Sequence, residues 1–218
     1  MYSTEHSILD YKISDDDLRS YNPYLKKLKT IIDENITLDR EELASLLVSK
    51  RHDIVSEYGF TIPYMDILQK VASFSPIVEI GAGSGYWARC LSEVGADVLA
   101  YDSFPPGEEN PWEWYNSNSW FDDTWYGVVR GDEYSAADYP DRSLLLAWPM
   151  PMSLMAYNTL SCYKKAGGRT IIYIGDPHPA SSGDEHFYSL LYEHKAVEKI
   201  DLYGWPGINE KLLIYSLA

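Results

Sequence analysis

The stretch IVEIGAGSGYW, residues 77–87, constrains the chain more than any other segment. A strand-like run leads into three glycines on alternate positions, Gly81, Gly83 and Gly85, and an amphipathic run follows. A strand that ends in a glycine turn and feeds a helix is the opening unit of a parallel α/β layer, whose ligands bind outside the carboxyl ends of the strands. Small residues in such a turn let the backbone come very close to something: a nucleotide's phosphates, a different cofactor, or only the neighbouring helix.

The flanking sequence has two textures. Residues 1–70 place apolar groups at helical spacing in PYLKKLKTIIDENI and DREELASLLVSKRHDIVSEYG, with Ser14 and Asp39 as N-caps, before a further helix through YMDILQKVASF. From residue 76 the pattern predicts strands at 76–80, 96–102, 126–130, 143–148 and 169–175, helices at 84–94, 151–166 and 184–194, and a closing antiparallel pair around GWPGINE. The expected fold is α/β: a Rossmann-like, seven-stranded, mostly parallel sheet with an antiparallel last strand and helices on both faces. Residues 1–70 form an N-terminal helical lid and 71–218 the core. One segment breaks the scheme. Where a crossover helix belongs, residues 103–127 read SFPPGEENPWEWYNSNSWFDDTWYG, an aromatic loop with Trp112, Trp114, Trp120 and Trp125 that either serves the site or caps the sheet edge.

Composition narrows the partners. A formal charge of −15 speaks against nucleic acid, which is gripped by lysine and arginine clusters; Lys26, Lys27 and Lys29 read as a solvated helix face. The sequence has no secretory leader and no apolar run that would span a bilayer, so a cytoplasmic location with no membrane partner is the expectation. Cys90 and Cys162 read as small buried hydrophobes. His178, His186 and His194 are spaced at intervals that match no short metal motif, so no metal is expected. Nothing here reports the oligomeric state.

Two details bear on the glycines. The third comes one place too early for G-x-G-x-x-G, with Tyr86 in its stead, and Glu79 closes the strand just ahead of the turn. A carboxylate there repels a pyrophosphate and suits a cation. Asp102, 21 residues beyond Gly81, stands where a ribose-binding acid belongs. S-adenosylmethionine meets these demands better than NAD, having an ammonium for Glu79, ribose hydroxyls for Asp102 and a carboxylate for N–H groups at the start of the 84–94 helix.

With these residues in place, VEIGAGSGYWARCL resembles the first motif of the class I S-adenosylmethionine-dependent methyltransferases. The resemblance runs in order through 76–218: VLAYD is similar to the acidic end of strand two, RGDEY to the turn after strand three, SLLLAWPMP to the segment at strand four and GGRTIIYIGD to strand five. More narrowly, Trp148-Pro149, the YIG strand end and GDEHF resemble a poorly characterised group of methyltransferase-like proteins. The resemblance implies a cofactor site made by Glu79, Gly81, Ala82, Gly83, Gly85, Tyr86, Asp102 and Ser103. It adds Asp132 near the adenine, which reads equally as a helix N-cap, and Trp148, which either flanks the sulfonium or packs in the core.

Ala147-Trp148-Pro149-Met150 stands where enzymes that methylate base or glutamine nitrogens carry Asp/Asn-Pro-Pro-Tyr, so those acceptors are disfavoured. The expected substrate is a small molecule in an aromatic pocket formed by Tyr58, Tyr64, Trp112, Trp114, Trp120 and Pro149 under the lid, with His178 as a candidate base or a plain loop residue. The leading expectation is methylation of oxygen or nitrogen, as in specialised metabolism. Alternatives are cyclisation of the cofactor's own aminobutyrate arm with release of methylthioadenosine, a non-catalytic binding module, and, more remotely, an NAD-linked oxidoreductase.

Overall fold

The computed structural model describes residues 6–18, 22–107, 118–121 and 123–218. Helices α1 (Pro23–Glu34), α2 (Arg40–Glu57) and α3 (Met65–Ala72) precede β1 (Ile77–Ile80), α4 (Tyr86–Glu93), β2 (Val98–Asp102) and β3 (Val128–Arg130). Strand β4 (Ser143–Ala147), α5 (Met155–Lys165), β5 (Thr170–Gly175), α6 (Glu185–Tyr192), β6 (Lys195–Asp201) and β7 (Lys211–Ser216) complete the order. The seven strands form one sheet in the order β3-β2-β1-β4-β5-β7-β6. Strands β1 to β5 run parallel, and β7 pairs antiparallel with both β5 and β6. This is the α/β sheet with one reversed last strand that the sequence predicts.

Alternation along the strands sorts the core onto two faces. Ile77, Leu145, Ile172, Ile174, Leu212 and Ile214 join one cluster with residues of α1 to α4. Val78, Leu144, Leu146, Ile171, Tyr173 and Leu213 join the other, with α5 and α6. Helices therefore cover both faces, and the N-terminal helices share a core with the sheet. No helix among the described residues is long and apolar enough to cross a membrane.

Element ends differ from expectation for local reasons. Gly85 adopts φ +72° in the left-handed region, so α4 starts at Tyr86 and not at 84. Trp148 has φ +54°, which ends β4 at Ala147; Met152, at φ +53°, sits in the turn that delays α5 to Met155. Among the described residues of 103–127 no helix forms, as the aromatic composition predicts.

At the N-terminus, Asp39 caps α2 in a reciprocal capping box with Glu42, as expected. Ser14 does not cap a helix. Its hydroxyl serves a turn at 15–18, and α1 is capped by Asn22 with Pro23 at its first position. The first N–H of α3 has no cap from its own N-cap residue, Tyr64; Asp17, fully buried, reaches it from 48 residues away and accepts from Met65 N at 2.7 Å. The other oxygen of Asp17 accepts from Ser14 N, Ser14 Oγ and Tyr11 Oη at 2.8, 2.6 and 2.9 Å. Asp17→Asn places an amide against these donors and should lower stability by about 2 kcal/mol. At this chain length that is a fall of roughly 4–8 °C in Tm, read by thermal melting; an unchanged Tm means that Asp17 does not anchor α3.

Candidate functional site

The glycine turn after β1 is folded back on the sheet. Gly81 N and Ala82 N donate to Tyr101 O of β2 at 2.8 and 3.0 Å, and Gly83 N donates to Asp102 Oδ2 at 2.9 Å. Each glycine approaches protein. A Cβ on Gly81 would lie 2.7 Å from Met155 Cε, one on Gly83 2.5 Å from the Phe121 ring, and one on Gly85 2.7 Å from Val128 Cγ2.

Beside this turn opens a cavity of about 630 Å³, within the size range of small-molecule sites. Its floor is acidic. Glu79, 1% exposed near the end of β1, shares its strand face with Ile77, which packs in the cluster that includes α4. Its Oε2 is buried without a hydrogen-bond partner. Burial and the neighbouring Asp102 charge push the Glu79 carboxyl up to about 8. Asp102 accepts from Phe104 N on Oδ1 as well as from Gly83 N on Oδ2, each at 2.9 Å, leaving further lone pairs; burial raises its pKa. Glu133 lies at the same end, its Oε1 accepting from Asn158 Nδ2 at 3.3 Å.

Part of the lining is aromatic. Trp148 stacks on Phe60 with centroids 5.9 Å apart and planes 12° apart, and Trp120 meets the Phe60 ring edge-on at 5.3 Å. A tryptophan at positive φ is strained, and such strain clusters at functional sites. Arg51 of α2 places its guanidinium over Trp148.

Of the expected residues, Glu79, Gly81, Ala82, Gly83, Tyr86, Asp102, Ser103, Trp148, Tyr58, Trp120 and Pro149 line this cavity. Tyr86 does so while its hydroxyl faces away, donating to Asn22 Oδ1 and accepting from Tyr24 N. Gly85 packs against β3 and does not line the cavity. Asp132 is exposed and outside it, accepting from Tyr134 N at 2.9 Å as a turn cap, and Glu133 takes the inward position. Tyr64 belongs instead to a ring cluster with Tyr11 and Tyr203. His178 is exposed, its Nδ1 accepting from Ala180 N. Trp112 and Trp114 lie outside the described residues.

Sequence reasoning missed Arg51, Phe121, Glu133 and Asn158. One signal was readable: Arg51 sits at helical spacing among the buried Leu47, Ile54, Val55 and Tyr58, a cation on an apolar stripe.

No family model matches the chain, and no curated protein does. Solved structures similar to it include the magnesium protoporphyrin IX methyltransferase of Synechocystis PCC 6803 with bound SAH, at 12% identity over 69% of this chain and 82% of that one, TM-score 0.43. The tRNA (uracil-54, C5)-methyltransferase of Pyrococcus abyssi matches at 14% identity over 73% and 40%, TM-score 0.42. A SAM-dependent methyltransferase of Archaeoglobus fulgidus matches at 13% over 69% and 91%, TM-score 0.41. Similarity at this level assigns no function, and the reading of the site rests on its own geometry.

Proposed function

We propose, from the premise that the strand order is that of the class I methyltransferase fold, that this chain is an S-adenosylmethionine-dependent transferase acting on oxygen or nitrogen of a small molecule. One observation carries the reading: a fully buried carboxylate, Glu79, keeps an unpartnered oxygen at the floor of a cavity that also holds Asp102. A buried orphan acceptor is costly unless a ligand serves it, and a phosphate-free cation is the ligand a carboxylate accepts. The acid set therefore fits the cofactor. Glu79 would hold the ammonium, Asp102 the ribose hydroxyls and Glu133 with Asn158 the base.

When bound, the cofactor supplies a methyl group already activated by its sulfonium. The chain's task is then to position and desolvate an acceptor. Trp148 and Phe60 offer ring faces for that purpose, and the segment 1–70 contributes Arg51, Tyr58 and Phe60 to the cavity lining. The chain is taken to work in the cytoplasm without nucleic-acid or membrane partners; its charge of −15 supports the first exclusion.

Titration calorimetry tests the cofactor step: S-adenosylhomocysteine should bind and NADH should not. Incubation with methyl-labelled S-adenosylmethionine and metabolite extracts should move label into a small product. Methylthioadenosine formed without any acceptor would favour the cyclisation reading instead, and no binding of adenosylated sulfur ligands at millimolar concentration overturns the proposal.

A further inference from the structure

We infer, resting on the reading of this cavity as a cofactor-and-acceptor site, that the acceptor is a flat organic acid whose carboxylate is held by Arg51. The described lining carries three carboxylates and one cation: Glu79 and Asp102 flank the glycine turn and Glu133 follows β3, whereas Arg51 comes from α2. Its guanidinium carbon lies 5.8 Å from the Trp148 ring centroid and 6.0 Å from that of Trp205, so two ring faces hold the cation in place. Its Nε is buried and has no hydrogen-bond partner.

Glu210, whose carboxyl feels the Arg51 charge, is buried off the cavity lining. Burial raises the Glu210 carboxyl to about 8 against the pull of the Arg51 charge, and its Oε1, like Arg51 Nε, is buried without a hydrogen-bond partner. An arginine with a desolvated, unpartnered donor at a cavity wall is satisfied best by an oxyanion from the ligand. The stacked Trp148 and Phe60 rings beside it favour a flat body. No histidine or lysine is among the described lining residues, and a carboxylate acceptor has no proton to remove: one of its oxygens would take the methyl group as the methyl–sulfur bond breaks, giving a methyl ester and S-adenosylhomocysteine.

The test uses the full chain and named probes: benzoate and cinnamate against benzamide and cinnamide, titrated by ligand-observed NMR with and without S-adenosylhomocysteine. The acids should bind at least about tenfold tighter than the amides, as expected for a charge-assisted contact. Arg51→Met should erase that preference and leave S-adenosylhomocysteine affinity unchanged, while Arg51→Lys should recover part of it. Equal binding of acid and amide, binding of neither, or a preference that survives Arg51→Met overturns the inference; the wild-type comparison stands even if a variant fails to fold. A parallel loss of S-adenosylhomocysteine in Arg51→Met also overturns it, since Arg51 would then hold the cofactor's own carboxylate. Failure of the wild-type chain to bind S-adenosylhomocysteine while the acid preference persists sinks the cofactor proposal alone.

Discussion

Binding of S-adenosylhomocysteine at pH 7 should release close to one proton per site, and Glu79→Gln should abolish the release while weakening binding roughly a hundredfold. The cause is the fully buried Glu79 carboxyl, pushed from its ordinary 4.5 up to about 8, so that it is largely protonated near neutrality. An ammonium placed against its unpartnered Oε2 favours the ionised form, and the proton leaves to solvent. Calorimetry in buffers of different ionisation enthalpy counts that proton directly. Affinity should rise with pH up to about 8 and flatten beyond it.

The sign for stability runs the other way. A carboxyl whose folded pKa is raised contributes stability that is full below 4.5 and is lost as the pH climbs through about 8. The ligand-free Glu79→Gln variant should therefore lose less stability than the wild type over that interval. Glu210 separates the effects: it is also pushed up to about 8 but lies off the cavity, so Glu210→Gln should leave the proton count of ligand binding unchanged. Binding without proton release in the wild type would mean that Glu79 does not meet the ammonium, and the cofactor assignment would lose its main support.

Why Glu79 was legible, and Arg51 was not, follows from what fixes each residue. Strand alternation and the glycine turn place residue 79 at the carboxyl end of β1 whatever the rest of the chain does. The same local logic places Asp102 at the end of β2, and the parallel order follows from the alternation of strands and helices. Residues on long connections carry no such constraint. Asp132 and Glu133 are neighbours in one turn, and only its backbone path decides which faces inward. His178 carries two flanking prolines that hold it, but on the outside. The aromatic loop announces ring area without saying which ring docks: Phe121, passed over among tryptophans, is the one against Gly83. Tyr64 fits the pocket by composition, yet Tyr11 and Tyr203, far away in sequence, draw it into another cluster. Arg51 was overlooked because a basic residue on a helix ordinarily faces solvent; the apolar stripe around it was the contrary sign.

Gly85→Ala should destabilise the chain by about 3–5 kcal/mol, whereas Gly95→Ala should cost only about 1–2 kcal/mol. Both glycines lie in the left-handed region, at φ +72° and +93°, so the backbone penalty of an L side chain is shared. The surroundings differ. A Cβ at Gly95 meets nothing within 4 Å, whereas one at Gly85 falls 2.7 Å from Val128 Cγ2 and 3.0 Å from Tyr126 Cβ, on the segment that delivers β3. Gly85 is also the N-cap of α4, so relief of the overlap must move either the helix or the strand. Since a domain's total stability is about 5–15 kcal/mol, the loss approaches the margin for folding. Melting curves of the two variants should stand well apart, by roughly 5–10 °C. Coincident curves would show that β3 yields freely to the added methyl. The outcome also bears on what the alternate glycines are for. Their close neighbours are Met155, Phe121 and Val128, all protein, so the turn's geometry is explained by helix, loop and strand packing. The case for a cationic nucleoside cofactor then falls on the carboxylates that flank the turn, where a change of charge at constant shape, as in Glu79→Gln, separates recognition from packing.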